Sequence, residues 1–242
     1  MATNYNYFGN LVTSGLVLDL DAAKIDSYPG SGTTWRDISG NGNNGTLTNG
    51  PTFTGIGKQA AIVFDGTNDY IQTPIQIISR PWTFSTWFNF TSLTANGGFN
   101  TFFGQDTSIS IPRGTFYFQK AGITTEGVEA NKVNFSIVKT DGSIVPTNGL
   151  NVLQTNTWYN YTAVLTTTNI SLYENGILQN TTTNSDSFIT PNTNIVLNAG
   201  YYANNITDYW PGKSSIFQMY NRALSAAEVL QNFNALRGRY GI

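Results

Sequence analysis

The clearest pattern in the chain is a strict alternation over residues 82–90. Trp82, Phe84, Thr86, Phe88 and Phe90 fall on one face of an extended strand, while Thr83, Ser85 and Asn89 fall on the other, with Trp87 among them. Similar alternation or short apolar runs predict strands at 15–21, 60–65, 70–74, 101–103, 115–119, 132–139, 158–165 and 194–199. Residues 60–65 and 70–74 read as two strands about a turn at 66–69. Residues 170–179 read as a hairpin, because Asn175-Gly176 suits the two left-handed positions of a type I′ turn. Only the end of the chain changes period. Ser225 followed by Glu228 predicts a capping box, Leu224 and Val229 a hydrophobic staple, and Gly238 a left-handed stop. Many strands with one late helix predict an all-β fold of two packed antiparallel sheets, since a βαβ architecture needs helical stretches between strands. The predicted core draws on Leu18, Val63, Phe64, Trp82, Phe84, Phe88, Tyr161, Ala163, Leu172, Ile216 and Phe217. Residues 26–60, rich in Gly, Asn, Ser and Thr, read as a long surface excursion pinned by Trp35, Ile38, Leu47 and Phe53.

Composition narrows the chemistry. Charged residues are 11% of the 242, against roughly 25% in an average globular protein, so neutral polar side chains must wet the surface. The chain has no Cys and no His, which excludes disulfides, thiol catalysis, Cys/His zinc sites and triads built on an imidazole. The net charge is −2 and the basic residues are scattered, so no nucleic-acid partner is expected. No apolar run approaches the ~20 residues that cross a bilayer, so membrane insertion is not expected. The first residues lack the pattern of a signal peptide, which implies synthesis in the cytoplasm. Residues 1–12, with Tyr5, Tyr7 and Phe8, read as an arm, and residues 13–242 as one domain.

Three groups of residues could carry function. A glycan hydrolase on such a sandwich needs two carboxylates facing each other across the sugar. The four Glu do not offer that: Glu126 and Glu129 are three apart, Glu174 adjoins a turn, and Glu228 caps the helix. Asp19 and Asp21 share a face but read as turn and cap ligands, so hydrolysis is disfavoured. Asp65, Asn68 and Asp69 form an oxygen cluster around Gly66 that either starts a calcium site, with Asp106 and Asp208 as distant partners, or bonds its own backbone in Asx-turns. Tyr201, Tyr202, Tyr209 and Trp210 crowd a short polar loop. Aromatic platforms beside Asn and Asp suit sugar or protein contact, and edge packing would also explain them. Arg237 and Arg239 at the helix end favour its dipole.

Four stretches in order resemble the laminin-G-like, concanavalin A-like jelly-roll superfamily. They are residues 15–21 with 35–45, residues 64–70, Trp158-Tyr159 through residues 172–176, and residues 220–225 with Glu228. The resemblance implies a curved two-sheet jelly-roll sandwich whose relatives mostly bind carbohydrates or other macromolecules, some with calcium at the rim. Short Asn/Thr-rich versions are similar to structural proteins of tailed phages and other virus particles. The expectation is therefore a non-enzymatic protein of a virion surface, for decoration or attachment. Its partners would be capsid or tail proteins or host surface glycans, and it would be homo-oligomeric or particle-bound. A free-standing lectin, with or without calcium, is the alternative, and a glycan hydrolase the third reading.

Overall fold

The computed structural model describes residues 10–93, 99–105, 116–121, 130–185, 191–202 and 205–242. Tyr5, Tyr7, Phe8, Asp106, Glu126 and Glu129 lie outside the described residues. The strands in chain order are β1 (Leu16–Asp21), β2 (Thr34–Trp35), β3 (Gly45–Thr48), β4 (Thr52–Phe53), β5 (Ile62–Asp65), β6 (Tyr70–Gln72), β7 (Trp82–Phe90), β8 (Phe99–Gln105) and β9 (Phe116–Ala121). They continue with β10 (Lys132–Val138), β11 (Ile144–Val152), β12 (Trp158–Leu165), β13 (Asn169–Glu174), β14 (Ile177–Thr183), β15 (Val196–Leu197), β16 (Gly200–Tyr202), β17 (Asn205–Thr207) and β18 (Pro211–Tyr220), before the helix α1 (Ala226–Arg237).

These strands build the two antiparallel sheets of a jelly-roll sandwich. Sheet 1 runs β14-β13-β12-β7-β18-β5-β4, and β1 pairs with the far end of β18. Sheet 2 runs β11-β10-β9-β8-β15-β6-β3-β2. The hairpin β16-β17 stands apart from both. It crosses close over β8, where a Cβ on Gly104 would stand 2.8 Å from the Gly200 Cα, so that contact needs glycine.

The core between the sheets is aromatic. Phe84, Phe88, Phe90, Phe102, Phe103, Phe118, Phe217 and Trp210 are buried there with Leu18, Leu20, Ile71 and Leu172. The alternation of β7 puts Phe84, Phe88 and Phe90 into this slab as expected, and Trp87 onto the opposite face. There Trp87 stacks on Phe233 of α1 at 5.7 Å and on Tyr240 at 4.1 Å. The helix therefore covers the outer face of sheet 1. Val229 and Leu224 join Val164, Tyr173 and Tyr220 in one apolar cluster, which seats the predicted staple. The capping box is present: the Ser225 hydroxyl accepts from the Glu228 N–H, and the Glu228 carboxylate accepts from the Ser225 N–H at 2.8 Å. The Asn175-Gly176 turn has both φ angles positive, 50° and 77°, as a type I′ hairpin requires.

Several expectations are corrected. Gly238 does not stop the helix in the left-handed region; its φ is −61°. The chain keeps turning, with Arg239 and Tyr240 amides bonded to Leu236 and Arg237 carbonyls, and the left-handed residue is Gly241. That extra turn brings Tyr240 onto Trp87 and buries Arg239 against Asp21, with contacts of 2.7 and 2.8 Å. Arg239 is thus a buried structural cation, and the helix dipole is the smaller part of its role. Strands β5 and β6 do flank the turn at 66–69, and that turn carries the chain from sheet 1 to sheet 2. Ile216 is buried beneath the helix, outside the inter-sheet core, and Val63 is only half-buried. Residues 26–60 do more than cover a face, because β2 and β3 extend sheet 2 while β4 extends sheet 1. Trp35 and Leu47 do pin the segment, both within the inter-sheet core. Residues 10–12 of the expected arm dock on the helix: the Val12 N–H donates to Asn232 Oδ1 at 2.9 Å, and Leu11 packs beside Trp87 and Leu236.

Two substitutions test this packing. Arg239→Ala leaves Asp21 buried without its partner and should cost about 3–5 kcal/mol in urea unfolding, as expected for breaking a buried pair. Trp210→Ala removes a ring that meets Phe64, Phe88, Phe90 and Phe102, and should cost about 3–5 kcal/mol by opening a core cavity. A melting temperature unchanged from the parent in either variant would contradict the assigned burial.

Candidate recognition surface

Sheet 1 is covered by the core on one side and by α1 on the other. The outer face of sheet 2 is the remaining sheet surface, and its composition follows from alternation. In β6, Ile71 enters the core, which turns Tyr70 and Gln72 outward. In β3, Leu47 enters the core, which turns Thr46 and Thr48 outward. Pairing aligns Thr46 with Gln72 and with Thr34, and Thr48 with Tyr70. Thr34, Thr46 and Gln72 are exposed, and Thr48 is half-buried. The result is a strip of neutral hydroxyl and amide groups at the β2-β3-β6 end of the sheet.

Tyrosines border this strip. Tyr70 packs with Val196, Ala199 and Tyr201, against Ile206 and Tyr209 from the crossing hairpin and the segment after it. The Tyr70 and Tyr209 rings lie 6.3 Å apart at a tilt of 45°. Tyr209 is half-buried, and its hydroxyl donates to the Ile206 carbonyl at 2.9 Å. The Gln72 amide donates to the Tyr70 hydroxyl at 3.0 Å. The Tyr209 carbonyl accepts from Asn100 Nδ2 at 3.0 Å, which ties the segment to β8. Asn100 Oδ1 and Thr207 Oγ1 are buried without a hydrogen-bond partner among the described residues. Burial raises the Tyr209 hydroxyl pKa, and the neighbouring Tyr70 adds to the shift, so this ring stays neutral.

The four aromatic residues singled out in the sequence do not act together. Tyr201 and Tyr209 face the outer side of sheet 2, Tyr202 lies in β16 with its side chain outside the described residues, and Trp210 is fully buried in the inter-sheet core. Trp210 is therefore no contact platform. The reason is that it directly precedes β18, whose strand direction turns the ring inward. Tyr70, Gln72, Thr46 and Thr48 were missed as site residues. Their period-two spacing was visible, but which of their faces stays open depends on the partner strands.

The oxygen cluster at 65–69 is a turn. Asp65 Oδ1 accepts from the Thr67 N–H at 2.7 Å and from the Asn68 N–H at 3.4 Å, and Asp69 Oδ2 accepts from the Asp65 N–H at 3.1 Å. Burial raises the Asp69 carboxyl above its ordinary value, and the Asp65 charge adds to that against the backbone bond. Calcium calls for six to eight oxygens, and among the described residues no three acidic side chains converge. Asp65 Oδ1 and Asp69 Oδ2 thus serve the turn that carries the chain between sheets.

Several of the described acids are likewise engaged in the scaffold. Glu174 accepts from the Tyr161 hydroxyl at 2.5 Å and from Asn151 at 3.0 Å. Glu228 binds Arg222 at 2.6 Å, and with the Ser225 bonds this holds its carboxyl well down, at about 2. Asp37 organises the loop after β2, accepting from the Asp19, Ser39 and Asn43 amides at 2.9 Å each. Asp19 and Asp21 do share the outer face of sheet 1, but Asp21 pairs with Arg239 and Asp19 accepts from Gln218 at 3.1 Å.

Asp19 gives a pH signature. Burial pushes its carboxyl up to about 6, Lys24 pulls it back, and the Asp21 charge adds to the rise. A raised acid contributes stability fully below its unfolded value near 3.9 and loses it as pH rises through the folded value. Asp19→Asn keeps the amide-like partner for Gln218 without the charge. Between about pH 4 and pH 7 the parent should lose on the order of 2–3 kcal/mol relative to this variant in urea unfolding. Parallel stability profiles for the two proteins would refute the assignment.

Residues 65–230 match the family described as the concanavalin A-like lectin/glucanases superfamily. Comparison with curated protein sequences found no match. Among solved structures, the binding domain of Paraclostridial Mosquitocidal Protein 1 superposes with a TM-score of 0.66 at 16% identity, over 90% of this chain and 52% of that one. The botulinum neurotoxin type G receptor binding domain gives 0.63 at 15%, over 91% and 51%. The serotype D ligand binding domain, solved in complex with N-acetylneuraminic acid, gives 0.65 at 13%, over 92% and 51%. The chain thus spans about half the length of these binding domains, and the likeness is one of fold. With the family match covering most of the sequence, the chain belongs to the concanavalin A-like lectin/glucanase superfamily.

Proposed function

We propose that the protein is a non-catalytic recognition module that binds neutral hydroxyl-rich ligands, glycans in first place, on the outer face of sheet 2. The observation that carries this reading is the strip of Thr34, Thr46, Thr48 and Gln72 bordered by the half-buried Tyr209, whose ring rests on the buried Tyr70. A tyrosine ring offers an apolar face to a sugar, and amides and hydroxyls orient its hydroxyl groups. The family membership and the N-acetylneuraminic acid complex of one structural neighbour support glycans as the kind of ligand. The engagement of Glu174, Glu228, Asp19, Asp21 and Asp37 by scaffold partners supports a role without bond cleavage. No step of such binding calls on a metal ligand, so chelation with EDTA should leave it unchanged.

The setting we favour is the surface of a virion or similar particle, with capsid or tail proteins beside the glycan. The low charge supports it, since close neighbours with 11% charged residues and a net charge of −2 repel one another weakly.

The test is titration of the full chain against a panel of neutral and sialylated oligosaccharides, read by calorimetry. Binding should weaken at least about tenfold in Tyr209→Ala and in Gln72→Ala. Gln72 is exposed, so that variant should keep the parent melting temperature and separates lost contact from lost fold. Retention of no oligosaccharide at millimolar concentration, or parent-like binding by Gln72→Ala and Tyr209→Ala, would overturn the reading.

A further inference from the structure

The triplet Asn-x-Ser/Thr, with x other than Pro, occurs at Asn44, Asn89, Asn134, Asn160, Asn169, Asn180 and Asn205. It is the acceptor sequence for N-linked oligosaccharide, and in a secreted protein it marks a surface position. The structure divides these asparagines into two groups. Asn44, Asn180 and Asn205 are exposed, and Asn169 is half-buried. Asn89, Asn134 and Asn160 are only 5%, 0% and 3% exposed, and they stand within β7, β10 and β12.

The buried three share a device that holds them in place. In each triplet the middle residue is aromatic, Phe90, Phe135 or Tyr161, and each of these rings belongs to the inter-sheet core. Alternation then fixes the asparagine on the opposite face of its strand. Turning that asparagine outward would slip the strand and pull the ring from the core. The amides are also engaged. Asn160 Nδ2 donates to the Ser85 hydroxyl and to the Thr86 carbonyl, both at 3.1 Å, so both of its hydrogens have partners. Asn134 Nδ2 donates to the Gln119 carbonyl at 3.4 Å, and its Oδ1 accepts from the hydroxyl of Ser136 at 2.8 Å. Ser136 is the third residue of that same triplet. The third residue of the Asn160 triplet, Thr162, donates to the Ser85 hydroxyl at 2.9 Å.

N-linked oligosaccharide is joined to Nδ2 of the extended chain during translocation, before distant strands meet. The acceptor triplet is therefore read regardless of where it will lie in the fold. The attached sugar replaces one amide hydrogen and is bulky and strongly hydrated. A close-packed interior has no room for it, and its hydroxyls would lose their water without gaining partners. The damage would be central, because β7 and β12 pair with each other in the middle of sheet 1, and β10 lies between β9 and β11 in sheet 2.

We infer that N-glycosylation at Asn134 or Asn160 and this fold are mutually exclusive, so that the native protein is made by a route on which those positions are never modified. Asn44, Asn180 and Asn205 are the positions at which the fold tolerates the same modification. The inference bears on the setting of the molecule. A protein that folds inside the cell and joins a particle there meets no glycosylating enzyme before its sheets close. A lectin matured through a glycosylating secretory pathway would present all three buried triplets to that enzyme in the unfolded state. The inference is independent of the proposed glycan binding, since it concerns sugar attached to the chain and not sugar held on the strip at the β2-β3-β6 end.

The test is expression of the full chain behind a cleavable secretion leader in cultured animal cells, with and without an inhibitor of oligosaccharide transfer. Beside it stands a triple variant, Thr91→Ala with Ser136→Ala and Thr162→Ala, which keeps the three asparagines and destroys their acceptor triplets. Parent and variant made in bacteria supply the reference melting temperatures, since Ser136→Ala and Thr162→Ala each remove a buried hydrogen bond. The parent should be retained in the untreated cells, with oligosaccharide mapped by mass spectrometry to Asn134 or Asn160. The inhibitor should restore secretion of parent that melts at its reference temperature, and the triple variant should be secreted without the inhibitor. If the variant fails to fold in bacteria, the inhibitor arm decides alone. Secreted parent that carries sugar at Asn134 or Asn160 and melts at the reference temperature overturns the inference. So does untreated parent secreted as well as treated parent, or retention that persists under the inhibitor.

Discussion

Burial of sheet 1 on both faces is the constraint that orders this molecule. Its inner face meets sheet 2 through a slab of phenylalanines around Trp210, and its outer face meets α1 and the turn that follows. Trp87 shows how local pattern and tertiary structure agree here. An aromatic ring on the polar side of an alternating strand would be a liability in water, and Phe233 and Tyr240 stack on it instead. The Asp21–Arg239 pair then closes the end of the chain over β1. With that face occupied, contact with other molecules falls to sheet 2 and to the flanks of the sandwich.

Few charges are present, and those described mostly serve the scaffold. Asp37 ties a loop to β1, Glu228 holds the helix start, and Glu174 answers the buried Tyr161 hydroxyl. Opposed carboxylates with a ligand space between them would need acids held apart from such partners. What faces outward at the β2-β3-β6 end of sheet 2, among the described residues, is neutral: threonine hydroxyls and a glutamine amide beside the Tyr209 ring. Such a surface recognises by shape and hydrogen-bond geometry, and salt screening affects it little.

Local signals in the sequence were sufficient wherever the determining interactions lie within a few residues. Alternation defined β7 and the sides of Phe88 and Trp87, Asn175-Gly176 defined its turn, and Ser225 with Glu228 defined the helix start. The inter-sheet core was largely legible for the same reason. Tertiary structure decided the rest. Strands β5 and β6 flank one tight turn, yet β5 pairs with β18 and β4 while β6 pairs with β3 in the other sheet. Trp210 and Tyr209 are neighbours in a polar, aromatic stretch, yet one fills the core and the other faces outward. Gly238 could have adopted a left-handed stop, and the helical turn it takes instead is fixed by the partners waiting for Arg239 and Tyr240, Asp21 being 218 residues away in the chain. Periodicity says which residues share a face. Which face is covered depends on strands brought together from distant parts of the chain, and no local pattern carries that information.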